Sequence, residues 1–365
     1  MHHYLIDLDS TIPNLALMKI SSWAKERGDT VSMNEMEKEP DHIWMSSIFT
    51  WNRKSAESLI RGLETEYPNA VLQYGGTGFD QGEAFGDPIR QYLPNEIEQA
   101  FPDYTLYADK IRTEKRWKDF DRTAVVFCQR GCNRKCQFCF VPRKEGRIDN
   151  NPYRRLITQV PDDFRKVLLL DNDIALAERW KFNEIMDDAH NMGVKLSITQ
   201  GMDIREISKY PEIAQRLAGN KPWDTHFKRK TVYIAWDYFA NESTVRKGIE
   251  NLLEAGFKGE EIKCYIIVGF PDRTYQKSQE PYRYYEGRDL HRVEVLWKEY
   301  GVYSWVMPYN NVKTDQRLVD FERWVNKYLF KKMDFRDYRR GYKLSDGDLP
   351  EERVSVPVSD YEIEE

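Results

Sequence analysis

Short apolar segments alternate with amphipathic segments along most of this 365-residue chain, and no other feature constrains its fold as strongly. Apolar runs at 3–8, 42–49 and 70–74 predict buried strands, while apolar residues at helical spacing predict a helix at 15–27. Strands that alternate with helices pair in parallel, and the carboxyl ends of parallel strands form an edge that can bind ligands. Residues 1–110 are therefore predicted to form an α/β domain.

The alternation resumes after a polar stretch that contains several prolines. The apolar runs that predict further strands are 123–128, 167–170, 195–199, 232–236, 263–268 and 303–307. A closed barrel of eight strand–helix units needs about 250 residues. Six units over residues 111–312 therefore predict an incomplete barrel or an open sheet. Helices are predicted at about 176–191 and at 242–255, the second capped by Asn241 and stopped by Gly256. Residues 313–365 are predicted to add a closing amphipathic helix at 315–331 and an acidic tail.

The charge balance and the apolar runs exclude two classes of protein. With 55 Lys and Arg against 60 Asp and Glu, the net charge of −5 excludes the strongly basic surface of a dedicated nucleic-acid clamp. No apolar run approaches the roughly 18 residues that span a bilayer, and the first apolar stretch is broken by Asp7, Asp9 and Pro13. We expect a cytoplasmic protein that makes no membrane contact.

Four of the five cysteines lie close together, between Cys128 and Cys139. A disulfide framework would spread its pairs along the chain, so this clustering favours a metal site. The thiolates of Cys132, Cys136 and Cys139 could hold three irons of a [4Fe–4S] cluster and leave the fourth iron without a protein ligand. Gly131 allows a tight turn, and neighbouring phenylalanines would shield the cluster from solvent.

Three other interpretations of these cysteines remain open. A structural zinc site needs four nitrogen or sulfur ligands, and Cys128 is the one further cysteine near enough in sequence to be the fourth. A ferredoxin-type electron carrier needs four cysteine ligands for each cluster. The simplest alternative is a set of buried free thiols, which the close spacing does not favour. Cys128 and Cys264 fall on predicted strands, where a buried thiol acts as a small apolar side chain.

The C-x3-C-x2-C spacing of Cys132, Cys136 and Cys139 is that of the radical S-adenosylmethionine (SAM) superfamily, which this sequence resembles over about residues 120–312. The resemblance implies a partial (β/α)6 TIM-type barrel and a [4Fe–4S] cluster whose open iron binds SAM. It also implies reductive cleavage of SAM, abstraction of hydrogen from a substrate, and a flavodoxin- or ferredoxin-type electron donor. The sequence identifies neither the substrate nor the net reaction.

The same resemblance implies SAM contacts near the carboxyl ends of the strands. Asp171 and Asp173 follow the second strand, where an acidic motif faces the SAM amino group in the family. The usual Gly-x-Glu-Ser of the fourth strand is replaced by Ala-Trp-Asp-Tyr, which places Asp237 there. The fifth strand ends in Gly-Phe-Pro-x-x-Thr, whose backbone lines the adenine in the family. The implied contacts are Phe138, Asp171, Asp173, Ser197, Gln200, Asp237, Val268, Gly269, Phe270 and Pro271.

Residues 1–110 resemble the Rossmann-like, cobalamin-binding-type domain that precedes the barrel in one subgroup of the superfamily. The resemblance rests on an opening Leu-Ile-Asp-Leu-Asp run and on Gly75-Gly76. The cobalt-ligating Asp-x-His-x-x-Gly is absent from this segment. It occurs at 188–193, where it ends a predicted helix, so His190 is more simply a cation at a helix C-terminus. We therefore expect no cobalamin, and a domain that binds substrate or a partner instead.

Eleven Lys and Arg residues lie between Arg112 and Arg147, interleaved with aromatic residues. Such a strip can hold phosphates and stack bases, but a solvated basic face is the simpler interpretation, and we favour it over nucleic-acid binding. Two functions remain: a radical SAM enzyme that acts on an unidentified substrate, and a non-catalytic iron–sulfur protein that binds SAM or transfers electrons. Formation of 5′-deoxyadenosine by the reduced protein distinguishes them.

Overall fold

The fold is that of a computed structural model, which describes residues 1–36, 38–79, 93–270, 281–309 and 316–338, with the backbone alone for 281–286. The strands form three parallel sheets, one of four strands and two of three. The α/β class predicted from the alternation of segments is therefore confirmed. Pro271 and the acidic tail lie outside the described residues.

The first sheet contains the three strands predicted near the N-terminus and one more. Its strands are β1 His2–Asp7, β2 Thr30–Met33, β3 His42–Ser46 and β4 Val71–Gly75. Their order is β2-β1-β3-β4. The additional strand β2 buries only Ser32, so it lacks the apolar run that marks the other strands. The strand order reverses between β1 and β3, and in doubly wound sheets ligands bind at that point.

Helices cover both faces of this sheet. They are α1 Leu15–Glu26, α2 Arg53–Glu66, α3 Asn95–Gln99 and α4 Ala108–Thr113. Successive residues of a strand point to opposite faces, so Leu5 packs with residues of α1 and α3 while Ile6 packs with residues of α2. α1 begins where predicted, because the side chain of Asn14 accepts a hydrogen bond from the backbone N–H of Leu17.

All six strands predicted after residue 120 are present. They are β5 Thr123–Val126, β6 Lys166–Leu169, β7 Lys195–Ile198, β8 Val232–Ala235, β9 Ile262–Val268 and β10 Tyr303–Pro308. The two sheets have the orders β5-β6-β7 and β8-β9-β10, so neighbours in sequence are neighbours in space. A single parallel bridge joins Met202, which follows β7, to Ile234 of β8.

The free edge of β10 is capped by a side chain. The Asn326 amide accepts a hydrogen bond from the Val306 N–H at 2.8 Å and donates one to the Val306 carbonyl at 2.9 Å. These bonds replace a neighbouring strand at that residue. Among the described residues no closed barrel is found; the strands form two three-stranded parallel sheets joined by one bridge, a coarser arrangement than the predicted partial barrel.

Several helices accompany these two sheets, and five of them were not predicted. They are α5 Val141–Lys144, α6 Arg179–Asn191, α7 Ile204–Lys209, α8 Pro211–Gly219, α9 Glu242–Glu254, α10 Pro281–Glu294, α11 Gln316–Asn326 and α12 Phe335–Tyr338. The unpredicted helices α5, α7 and α12 are very short, and the other two, α8 and α10, each begin at a proline. A π-helical turn, Val295–Glu299, extends α10.

The ends of three helices can be compared with the ends predicted from the sequence. α11 stops at Asn326 rather than near residue 331, because Tyr328 adopts a left-handed conformation with φ +56°. α9 ends before Gly256, which has φ +102° as a helix terminator requires, but Asn241 makes no side-chain capping bond, so its predicted capping role is wrong. His190 is exposed in the last turn of α6, in agreement with its interpretation as a helix-end residue.

The chain divides into two compact units by internal contacts. The N-terminal unit comprises Met1–Asn133, Phe140–Leu170 and Asn191–Lys195, and the C-terminal unit comprises Arg134–Cys139, Asp171–His190 and the residues from Leu196 onwards. Cys136, Cys139 and all the described residues predicted to contact SAM belong to the C-terminal unit. None of the helices in the described ranges is both long and apolar enough to span a membrane.

Candidate functional site

The loop that carries the cysteines begins after β5, and a glycine sets its shape. Gly131 has φ +95°, and a Cβ at this position would lie 2.7 Å from the carbonyl oxygen of Gly146. The backbone N–H of Cys132 donates to that same oxygen, with an N–O distance of 3.1 Å. A side chain at position 131 would therefore be strained and crowded, which confirms the tight turn predicted there.

Cys136 and Cys139 form a second turn. The backbone N–H of Cys139 donates to the carbonyl oxygen of Cys136 at 3.0 Å. Burial raises the pKa of the Cys136 thiol to about 11, although the guanidinium of Arg205 lowers it, and the Asp237 carboxylate adds to the rise. Cys136 therefore keeps its proton at neutral pH until a metal displaces it.

The cysteine loop offers the right donor atoms for an iron–sulfur cluster but not a finished site. Cys132, Cys136 and Cys139 take part in no disulfide bond, and each is partly exposed. Within the described ranges, no three His, Cys, Asp or Glu side chains are arranged to hold a metal ion. Metal sites commonly form together with the metal rather than before it. The donor set itself, three thiols within eight consecutive residues, fits a three-cysteine cluster.

Arg134 anchors the cysteine loop to the start of α7. Its Nε lies 2.5 Å from Oδ2 of Asp203, and its Nη2 lies 2.7 Å from Oε1 of Glu206. Asp203 is also the N-cap of α7, accepting a hydrogen bond from the backbone N–H of Arg205 at 3.0 Å. The sequence contains one signal that could have predicted the start of α7, which carries this anchor. Asp203-x-x-Glu206 is an acidic pattern typical of a helix N-terminus.

Asp173 and Asp203 form a buried acidic pair after β6 and β7. Oδ1 of Asp173 accepts hydrogen bonds from the backbone N–H groups of Asp203 and Ala175, both at 3.2 Å. Burial, together with the charge of Asp203, raises the pKa of Asp173 above its usual range. Burial also opposes the charge of Asp203, but the guanidiniums of Arg205 and Arg134 outweigh it and lower the pKa of Asp203. The pair therefore combines a weak acid with a strong one.

Asp237 follows β8 and is held against β9. Its Oδ1 accepts a hydrogen bond from the Ile267 N–H at 3.3 Å. Burial raises its pKa to about 6, and the guanidinium of Arg292 partly offsets that rise. Arg292 is buried on α10; it donates to the carbonyl oxygens of Trp236, Asp237 and Ile267 at 2.6, 3.0 and 2.9 Å, and it pairs with Asp289. This guanidinium ties the ends of β8 and β9 together.

Aromatic rings surround the second cysteine turn. The ring of Phe138 lies 5.7 Å from that of Tyr238 and 5.4 Å from that of Phe270, measured between centroids. The hydroxyl of Tyr238 accepts a hydrogen bond from the Gln137 N–H at 3.3 Å. Two predicted SAM contacts, Phe138 and Phe270, therefore lie together beside Tyr238, a residue that sequence reasoning did not single out.

The other predicted SAM contacts are more scattered. Asp171 is buried just after β6. Ser197 is fully buried on β7, and its hydroxyl has no hydrogen-bond partner among the described residues. Gln200 is exposed, while Val268 is buried and pairs with Pro308 in the β9–β10 ladder. Gly269 follows with φ +70°.

The carboxyl edge of the first sheet, by contrast, is filled by its own loops. Asp9 accepts hydrogen bonds from the side chains of Ser47 and Asn52, both at 2.9 Å, and from the backbone N–H groups of Ile48 and Phe49, at 2.6 and 3.2 Å. A Cβ at Gly76 would lie 2.3 Å from the Ser47 carbonyl oxygen. The glycine therefore serves the close approach of two loops, which gives Gly75-Gly76 a packing role.

A scan against models of protein families and a search of curated proteins both find no match to this chain.

Proposed function

We propose that this protein is a radical SAM enzyme with an unidentified substrate, and that its six later strands form a partial barrel of the radical SAM type. The observation that carries the proposal is the spacing of Cys132, Cys136 and Cys139 in one loop directly after β5, the first of six parallel strands. Three thiolates suit a [4Fe–4S] cluster with one open iron, whereas zinc and ferredoxin sites need a fourth ligand.

Cys132, Cys136 and Cys139 would hold the cluster, which would supply the single electron for cleavage of SAM to methionine and a 5′-deoxyadenosyl radical. The protein's own part is to hold the loop and to exclude water. Arg134 fixes the loop to α7 through two carboxylates, and Phe138 shields the cysteine turn together with Tyr238 and Phe270. Exclusion of water protects a reactive intermediate from side reactions.

Acidic side chains near the same turn suit the amino group of SAM. Asp173 and Asp171 are buried after β6, and Asp237 follows β8 of the other three-stranded sheet. An ammonium group bound there would offset the burial that raises the pKa of Asp173 and Asp237. Gly269 and Phe270 follow β9, and we assign the backbone there to the adenine. An external flavodoxin- or ferredoxin-type protein would deliver the electron.

The N-terminal domain is proposed to bind substrate or a partner rather than cobalamin. At the carboxyl edge of its sheet, Asp9 accepts hydrogen bonds from the domain's own loops, and Gly76 packs against Ser47. A corrin with its nucleotide tail would need that space. We also keep the view that the basic strip between Arg112 and Arg147 is a solvated face.

The test is anaerobic turnover of SAM. The protein is reconstituted with iron and sulfide, reduced with dithionite and mixed with SAM, and 5′-deoxyadenosine is quantified. We expect product from the wild type and from Cys264→Ala, a control at a buried thiol on β9, and none from Cys136→Ala. A cluster that binds SAM without ever cleaving it would favour the non-catalytic iron–sulfur protein. Zinc in place of iron would contradict both functions.

A further inference from the structure

One face of the β8–β9–β10 sheet carries aromatic and cationic side chains. The strand registers place Tyr233, Lys263 and Tyr303 in one row across the three strands, and Tyr265 beside Trp305 in the next row. Residues two apart in a strand share a face, so both rows belong to the same face. The rings of Tyr233 and Tyr265 are stacked at 5.4 Å, and Trp305 is 36% exposed. Trp305 is therefore the ring that opens this face to solvent, whereas Tyr233 is buried beneath it.

Two lysines meet at this face. Nζ of Lys263 lies 5.2 Å from the ring of Trp305, 5.8 Å from that of Tyr233 and 5.9 Å from that of Tyr328. Lys331 stands in a different segment of the chain from Lys263, and its Nζ lies 5.6 Å from the same Tyr328 ring. Lys331 also donates a hydrogen bond to the Tyr303 hydroxyl at 2.5 Å.

Neither ammonium group forms an ion pair with a carboxylate among the described residues; each is held by aromatic rings. Among the described residues, an acid that acts on this side is Asp224, whose charge acts on Tyr233 and whose Oδ1 accepts from the backbone N–H groups of His226 and Lys228. Cation–π contacts compensate an ammonium only in part. Two cations beside one phenol ring therefore leave net positive potential that an anion would neutralise.

We infer that this face, the lysine–aromatic face of Lys263, Lys331, Tyr233, Tyr303, Trp305 and Tyr328, binds an anionic ligand whose carboxylate or phosphate is joined to a planar ring. The two lysines hold the anion, and Trp305 with the tyrosines stacks the ring. Resting on the proposed function, the ligand is the substrate. Ile267 lies four residues beyond Lys263 on β9, or roughly 13 Å at about 3.3 Å per residue. Its backbone N–H donates to Asp237.

The substrate class follows from that placement. Its charged group sits at the amino end of the strands, and its reacting carbon reaches toward the carboxyl end, where the cysteine turn and Asp237 lie. A substrate of this kind is elongated, carries a negative charge at one end, and places the hydrogen to be abstracted roughly 13 Å or more from that charge.

The experiment is equilibrium binding to the full chain prepared without iron or SAM, so its result does not depend on the cluster. The probes are AMP and 2-naphthoate, which join a planar ring to a phosphate or a carboxylate, with adenosine and inorganic phosphate as the separate halves. Calorimetric titrations compare the wild type with Lys263→Met, Lys331→Met and Trp305→Leu. Lys332→Met is the matched control, because Lys332 is an exposed neighbour.

We expect at least one of the two anions to bind the wild type and Lys332→Met equally. Each lysine variant should weaken that binding about tenfold, since each removes one charge-assisted contact. Trp305→Leu should weaken binding of the ringed anions while leaving inorganic phosphate unchanged. Preference for AMP or for 2-naphthoate identifies phosphate or carboxylate as the natural anion. Circular dichroism of each variant confirms that it folds.

Failure of both ringed anions to bind, or binding that the lysine variants do not alter, would overturn the inference. Failure of the proposed function looks different: anion binding would persist while the reconstituted protein forms no 5′-deoxyadenosine. Conversely, SAM cleavage without anion binding at this face would keep the enzyme and remove the site.

Discussion

The carboxyl end of β1 and the carboxyl ends of β6, β7 and β8 all present aspartates, but the first sheet uses them differently from the later strands. In the first sheet, Asp9 accepts four hydrogen bonds from its own loops, and Asp7 accepts one from the Tyr107 hydroxyl at 2.6 Å. In the later strands, Asp173 and Asp237 are buried with raised pKa values.

The difference teaches where a ligand can bind favourably. A carboxylate whose acceptor positions are filled by local N–H and O–H groups has little to offer a ligand and mainly fixes the loops around it. A buried carboxyl with a raised pKa is poorly stabilised as an anion and gains from a cation. Parallel sheets therefore carry a structural edge at one end of this chain and a candidate binding edge at the other.

The largest expected effect is the loss of iron on removing one cysteine of the loop. Cys136→Ala, Cys132→Ala and Cys139→Ala should each lower the iron content of the reconstituted protein from about four atoms per chain to near zero. Cys128→Ser and Cys264→Ala should retain it, because these buried thiols are placed on or beside strands. Iron and sulfide analysis measures the effect. Full retention in all three loop variants would place the cluster elsewhere.

Replacing Asp9 should weaken the fold without touching the chemistry. Asp9→Ala leaves four donors without their acceptor. We expect the free energy of unfolding, measured in urea, to fall by about 2–3 kcal/mol. Asp9→Asn keeps one oxygen and should lose less. The iron content should stay that of the wild type in both variants. An Asp9→Ala protein of unchanged stability would show that this edge is not a structural network.

Asp173→Asn should stabilise the protein at high pH. The raised pKa means that folding favours the protonated acid, so wild-type stability is full below the ordinary carboxyl pKa and falls as the pH rises through the folded-state value. Asparagine cannot ionise and keeps the Oδ1 acceptor. Above the raised pKa, the free energy of unfolding of the variant should exceed that of the wild type by at least about 1.4 kcal/mol, the equivalent of one pKa unit. Urea unfolding measured across the pH range checks this, and identical pH profiles would contradict it.

Breaking the anchor of the cysteine loop should have the smallest effect. Arg134→Gln removes two ion pairs from a side chain that is 31% exposed, which should cost about 1 kcal/mol in stability. The cluster should still form, but more slowly, because the loop is no longer held against α7. The rate of absorbance gain during reconstitution measures this. Arg143→Gln is the control, a basic residue of the same strip that follows the cysteines.

Sequence reasoning located the features that are local in the chain. Apolar runs marked nine of the ten strands, and Gly131 and Gly256 have the positive φ that their predicted roles require. The three-cysteine spacing is likewise a property of eight consecutive residues. Such signals survive because burial and backbone conformation act on neighbouring residues.

Features that depend on distant contacts were missed. β2 is short and mostly polar, and it exists because β1 offers it backbone partners. In the sequence, Arg134 is one of many basic residues in the basic strip. Its ion-pair partner Asp203 lies far along the chain, so the pair leaves no local signal. The same holds for Arg292, which binds carbonyl groups of two strands. No periodicity in the sequence marks these pairings.

The account is tested most directly by electron paramagnetic resonance of the reduced, reconstituted protein before and after SAM is added. An open iron at the cysteine loop predicts a [4Fe–4S] signal that changes on SAM addition in the wild type and in Asp9→Ala, and no signal in Cys136→Ala. A signal that SAM leaves unchanged, or one that persists in Cys136→Ala, would contradict the proposal that the cysteine loop holds a cluster whose open iron binds SAM.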